Sequence, residues 1–366
     1  MADDFDSSQE YLTLHEFAKK ARLKLSPFVW DYLYGGAETE TTLKRNRLAI
    51  DSIAFRPRVL RNVDKVDTSV TVMGKKLRMP VLLAPMGGLQ HFDPDGGAAV
   101  ARAAGRFGVP FMAGSNTKPG LEAIAKAAPD ANLMYQLYVM GDLNWVGERL
   151  KLALDCGYNA FCLTVDSNLG SRRERDIAKR YIKPWHTKNH YDWRPRITWE
   201  TVDYIRKNCP VPLILKGIGS GEDAALAMQH GVDVVYVSNH GGRQPDHTRG
   251  ALDVLPEVVD AVGGKASVWI DGGFLRATDI VKAVIMGAEL VGVGRLQGYA
   301  LAAGGEDGLV RALEILENEM TIDLGLLGVT KFAELDENYL FHNAPVVTEP
   351  HQLSAFPLLN MEDEGY

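Results

Sequence analysis

The chain has 366 residues, 46% hydrophobic and 24% charged, which suits one barrel-sized globular domain with a large core. A net charge of -7 and a pI near 5.8, with basic residues only in short pairs such as Lys75-Lys76 and Arg172-Arg173, exclude a general affinity for nucleic acid or anionic membrane. Three cysteines, Cys156, Cys162 and Cys209, are odd in number and form no CxxC pair, so neither a disulfide framework nor a zinc site is expected.

From the N-terminus, Met1 to Glu10 is acidic and polar, without the basic-then-apolar order of a signal segment. No apolar stretch approaches the ~20 residues that cross a bilayer, so a cytoplasmic protein that contacts no membrane is expected. Leu12–Lys24 and Pro27–Leu33 read as two helices, followed by Gly35-Gly36. Strand-sized apolar runs then alternate with amphipathic ones. The strands are Met79–Gly87, Val109–Ser115, Leu133–Val139, Ala160–Asp166, Pro212–Gly217, Val234–His240, Ser267–Gly273 and Leu290–Arg295. They are apolar almost throughout, as parallel strands covered on both faces must be. Between them, Gly97–Phe107, Gly120–Ala128, Trp145–Cys156, Gly221–Gly231, Leu252–Val262 and Ala277–Met286 read as helices. Several close on a glycine before the next strand: Gly108, Gly157, Gly231 and Gly287.

Eight such units close a (β/α)8 TIM barrel, an α/β fold. A doubly wound open sheet competes, but the units run on without a composition break or a second domain. The expectation is one domain over 1–366: a helical lead-in over about 1–75, a barrel over 76–330 and a tail over 341–366. A long loop of about 45 residues follows the fourth strand, carrying Trp185, His186, His190, Tyr191 and Trp193. These suit either a cover for a site mouth or packing on the barrel rim. Gly308–Leu326 reads as a long helix after the barrel, and the tail from Asn343 shows no periodicity.

Chemistry in such a barrel sits at the carboxyl ends of the strands. There the chain places Gln136 and Tyr138, Thr164 and Asp166, Lys216-Gly217, Ser238 to Arg243, Asp271 to Gly273, and Gly294-Arg295. One or two polar groups can be structural; a Lys, an Asp, a His and two Arg converging on one rim each need a partner. Gly273 and Gly294-Arg295, ending strands seven and eight, occupy the usual barrel phosphate site. Lys216 is a fixed positive charge suited to a reduced, anionic cofactor ring, or else pairs structurally with Asp166 or Asp271. His240, before a Gly-Gly turn and with Asp166 as a neighbour, has the makings of a general base, and Arg243 could hold a carboxylate. The glycines of Gly217-Ile-Gly219-Ser-Gly221 and Gly292-Val-Gly294 do not follow the dinucleotide pattern, so a Rossmann site is rejected.

The string Ser238-Asn-His-Gly-Gly-Arg-Gln-Pro-Asp246, with Asp271-Gly-Gly273 and Gly294-Arg295 after it, closely resembles the FMN-dependent α-hydroxy acid oxidase/dehydrogenase family, which includes glycolate oxidase, lactate oxidase and mandelate dehydrogenase. The resemblance runs from about Tyr11 to Leu340. It implies that His240 is the active-site base and Asp166 its partner, that Arg243 and Arg173 hold the substrate carboxylate, and that Tyr32 and Tyr138 contact carboxylate and hydroxyl. For FMN it points to Pro85, Met86 and Gly87, then Ser115, Gln136, Thr164, Lys216 and Ser238, with the phosphate on Asp271, Gly273, Gly294 and Arg295. The implied reaction oxidises an L-2-hydroxy acid to the 2-oxo acid: His240 takes the hydroxyl proton and the α-hydrogen passes to flavin N5. The electron acceptor would be O2 or another carrier, and the assembly a homotetramer.

Some positions depart from the family pattern. Leu275 stands where an arginine is common, with Arg276 beside it as a substitute phosphate contact. Met86-Gly87 replaces a frequent Thr-Ala, Gly114 and Asn116 stand for Ser and a bulky aromatic, Pro245 stands for Leu, and the fourth loop is shorter than in many members. Together they imply a remodelled pocket for a bulkier, non-standard acid. A different FMN barrel, such as an isomerase, would need a phosphate-rich substrate site; a flavin-binding protein without turnover would need no His-Asp-Arg-Tyr set.

Overall fold

The computed structural model of the chain describes residues 10–180 and 193–357. Trp185, His186, His190 and Tyr191 lie outside the described residues. Trp193 is partly buried against the core, with the Arg196 guanidinium 4.8 Å from its ring centre.

In chain order the lead-in comprises α1 (Leu14–Lys24), α2 (Pro27–Tyr34), α3 (Thr41–Asp51), the short β1 (Ala54–Phe55) and a hairpin of β2 (Val70–Val72) and β3 (Lys75–Leu77). Then follow β4 (Val81–Leu83), α4 (Gly96–Phe107), β5 (Phe111–Gly114), α5 (Leu121–Ala127), β6 (Leu133–Leu137), α6 (Leu143–Asp155) and β7 (Phe161–Thr164). After β7 come α7 (Glu174–Ala178) and α8 (Trp199–Asn208), then β8 (Leu213–Ile218), α9 (Gly221–Gln229), β9 (Val234–Val237), α10 (Ala251–Val262), β10 (Ser267–Asp271), α11 (Ala277–Ile285), β11 (Leu290–Val293), α12 (Arg295–Leu327) and β12 (Leu340–Phe341).

Strands β4 to β11 pair in parallel and close on themselves, β11 joining β4, so the expected eight-stranded barrel is the observed fold. Side chains alternate along each strand. Leu82, Met112, Met134, Cys162, Ile214, Tyr236 and Trp269 fill the barrel interior, while neighbours such as Val81, Leu83, Phe111, Leu163 and Leu215 pack outward against the helices. Cys162 is buried and free, an inert part of that interior. The β2–β3 hairpin adds Val72 and Leu77 to the interior cluster at the amino ends of the strands, and so stoppers the barrel from below.

Helices α3, α7, α8 and the first part of α12 went unread in the sequence, α7 being a five-residue turn too short to show a period. Helix α3 carries Lys44, Arg45 and Arg47 and lacks a clean apolar stripe. Helix α8 lies in the long fourth loop, where aromatics mask the period. The run from Arg295 to Ala303 is buried almost all round, which hides helical periodicity. It joins the expected Gly308–Leu326 helix through a break at Gly304 and Gly305, the latter at φ 62°. The aperiodic tail packs as well: Gln352, Leu353, Ala355 and Phe356 are all buried.

Candidate active site

Strand β9 ends at Val237, and the next residues turn sharply over the barrel mouth. His240, Gly241 and Gly242 all take left-handed backbone angles (φ 59°, 64° and 75°), a conformation histidine adopts only at a cost. The turn sets the imidazole between two partners. Nδ1 lies 2.9 Å from Asp166 Oδ1, and Nε2 lies 3.0 Å from the Tyr138 hydroxyl. With Nδ1–H donated to the carboxylate, Nε2 carries the lone pair and accepts from Tyr138. Burial pushes Asp166 upward, but the charge and hydrogen bond of His240, helped by Lys216, hold it below the usual carboxylate range. Burial, then the charge of Asp166, raises the Tyr138 phenol, which stays a donor. Gly217, at φ 110°, makes the Asp166 position possible, since a Cβ there would stand 2.6 Å from the Asp166 Cβ.

Deeper in the mouth, Lys216 Nζ donates to Ser238 Oγ at 2.8 Å and pairs with Asp271 at 3.0 Å, while Ser238 Oγ donates to Asp271 Oδ1 at 2.6 Å. The structural pairing with Asp271 therefore exists, and Lys216 still lines the cleft. Burial opposes its charge, but Asp271 and Asp166 outweigh burial and keep the ammonium protonated. Gln136 donates to Thr164 Oγ1 at 2.8 Å, and the Tyr138 backbone N–H to Ser115 Oγ at 3.1 Å. Of these, Tyr138 lines the cleft, whereas Gln136, Thr164 and Ser115 do not.

Helix α2 closes one side of the mouth. Its last carbonyls have no partner within the helix, and two arginines from the barrel supply one. Arg243 donates to the carbonyls of Tyr32 and Gly35, both at 2.7 Å. Arg295 donates to Leu33, Tyr34, Gly35 and Gly241 at 2.9–3.2 Å. The Tyr32 hydroxyl donates to the Gly87 carbonyl at 2.9 Å. Burial pulls the Arg243 guanidinium down to about 9, and the nearby charge of Arg173 adds to this. It remains a cation at neutral pH; among the described residues Asp176 eases its charge but no carboxylate forms an ion pair with it, and an anionic ligand would complete it.

The cleft opens over the carboxyl ends of the barrel strands. Tyr32, Pro85 to Gly87, Tyr138, Arg173, Lys216, His240, Arg243, Asp271, Gly273, Gly294 and Arg295 all line it. At the ends of β10 and β11 its wall is bare backbone, where a Cβ on Gly294 would meet only Met86 Sδ, at 4.0 Å. That bare wall, the amino end of α12 and Arg295 form an anion cradle, and Lys216 adds a buried cation. The donor set fits FMN, its phosphate at the cradle and its ring toward Lys216. One expectation fails. Arg276 turns away from the cleft into Glu319 at 2.5 Å, His15 at 2.9 Å and the Ala355 carbonyl at 3.2 Å, because the start of α11 points it outward. The cleft also takes Leu33, Met140, Arg194 and Gln352, which sequence reasoning missed. Arg194 sits in the fourth loop and Gln352 in the aperiodic tail; no motif marks either.

A model of the FMN-dependent dehydrogenase family matches residues 21–342. An L-lactate oxidase of Nostoc sp. is 34% identical over 357 residues, spanning 90% of this chain and 98% of that protein. Glycolate oxidase 1 of Zea mays is 34% identical over 371 residues, 95% of this chain and 99% of the relative. Among solved structures, mandelate oxidase superposes with a TM-score of 0.85 at 35% identity, over 92% of this chain and all of that one. With motif, barrel and cleft in agreement across that length, the chain belongs to the FMN-dependent dehydrogenase family.

Proposed function

We propose that this enzyme oxidises an L-2-hydroxy acid to the corresponding 2-oxo acid. The observation that carries the reading is the Asp166–His240–Tyr138 chain at 2.9 and 3.0 Å beside the guanidinium of Arg243. Bound FMN supplies the acceptor for the α-hydrogen and its electron pair. The protein's own groups do the rest. Arg243 and Arg173 hold the carboxylate, with Tyr32 against it, and this fixes the α-carbon in one orientation. The substrate hydroxyl takes the place of the Tyr138 phenol at His240 Nε2, which accepts its proton as the carbonyl forms. Asp166 holds the ring in the tautomer that leaves Nε2 free and balances the imidazolium once the proton has moved. Tyr138 donates to the oxygen as it becomes a carbonyl.

Gly87, Asn116 and Met140 line the cleft with small or flexible side chains, which favours an acid bulkier than glycolate or lactate. The relatives' names, lactate oxidase and glycolate oxidase, favour O2 as electron acceptor. The family resemblance favours a homotetramer, and the run of barrel units without a composition break favours one domain per chain. Among the described residues no helix is long and apolar enough to cross a membrane.

Anaerobic mixing of the holoenzyme with small and aromatic 2-hydroxy acids tests the proposal. Bleaching of flavin absorbance by the L-enantiomer of one acid, abolished in His240→Ala with flavin retained, is the expected result. Persistent colour with every acid would exclude this reaction and favour another flavin barrel or a flavin carrier without turnover.

A further inference from the structure

Leu275 is buried in the core, 1% exposed, where the family pattern has an arginine near the cofactor phosphate. Arg276 does not replace it. Held by Glu319, Arg276 instead donates to the Ala355 carbonyl and to His15 Nε2, while Phe356 packs edge-on against His15 at 5.4 Å and against Tyr299 at 6.5 Å. These contacts fasten the tail over the start of α12, one turn from Arg295. Gln352 thereby reaches the wall of the cleft that Leu275, Gly273 and Gly294 also line.

Gln352 is 1% exposed, and neither its Oε1 nor its Nε2 has a hydrogen-bond partner. The Tyr299 hydroxyl faces it but falls outside bonding geometry and is unpartnered too. Burying an unpaired amide is unfavourable. Two orphan amide atoms at a cofactor cleft point to a ligand that completes them.

We propose that the Gln352 side-chain amide is a tail-borne ligand of the FMN phosphate, donating through Nε2 from the side that Leu275 leaves without a cation. This rests on the phosphate occupying the cradle at the ends of β10 and β11.

The test compares FMN and riboflavin, which differ only in the phosphate, by fluorescence titration of the flavin-free protein. The wild type binds FMN more tightly than riboflavin. Gln352→Met, close in shape but apolar, weakens FMN roughly ten- to hundredfold, as expected for a lost hydrogen bond to a charged group, and leaves riboflavin binding unchanged. The same variant raises the melting temperature of the flavin-free protein, because it removes an unpaired buried amide. Gln352→Glu sets a carboxylate against the phosphate and weakens FMN further still, again sparing riboflavin. Unchanged FMN affinity in Gln352→Met, or equal weakening of both flavins, would overturn the assignment while leaving the cradle in place. A wild type that does not distinguish the two flavins would overturn the cradle, and this assignment with it.

Discussion

His240 holds a left-handed backbone (φ 59°) that histidine, asparagine and aspartate tolerate better than branched residues do. This separates its two roles, chemical and conformational. His240→Asn removes the proton acceptor at little conformational cost: turnover falls by roughly 10²–10⁴ while the melting temperature stays within about 1 °C. His240→Val loses the same turnover and, in addition, about 1–2 kcal/mol of stability to backbone strain. Stopped-flow flavin reduction and thermal melts separate the effects, and equal melting temperatures in the two variants would remove the strain argument. The polar groups at this scale were legible in the sequence because they end strands inside a distinctive string. Met140 and Arg194 were not, since single residues in loops carry no period, and Arg276 was misread because the direction of a side chain at a helix start depends on packing.

Among the elements, α12 illustrates burial acting on charge. Asp323, in its second half, is raised from its ordinary 3.8 to about 7 by burial, with the charge of Glu319 adding to it. The folded protein therefore keeps this proton up to about pH 7, whereas the unfolded chain releases it near 3.8. The group favours folding at low pH, and that contribution is lost as the pH rises between the two values. Asp323→Asn is expected to match the wild type below pH 4 and to melt a few degrees higher above pH 7, measured by melts across that range. A constant offset at every pH would show that the side chain, not its proton, is responsible. The barrel helices with one apolar stripe were legible for the same physical reason that they pack. The all-round buried start of α12 was not, because periodicity vanishes when every face is covered.

For the molecule as a whole, cofactor binding and folding are one equilibrium. The cleft draws on α2, β10, β11, α12 and the tail, so flavin binds the assembled chain and not the unfolded one. At a hundredfold excess over its dissociation constant FMN contributes about 2.7 kcal/mol, expected to raise the melting temperature by roughly 3–6 °C. Differential scanning with and without FMN measures it, and no shift would mean the cleft does not take the flavin. The barrel itself was legible from eight repeated units; the packing of the tail was not, since it follows tertiary contacts such as Arg276 to Ala355. The hairpin of β2 and β3 seals the barrel from below, so the reacting groups are reached through the cleft at the opposite end. Among the described residues one doorway then serves the acid, its oxidised product and whatever carries the electrons away. Visitors take turns, and the enzyme stores two electrons between them, which in initial-rate plots appears as parallel lines, the pattern of a ping-pong cycle.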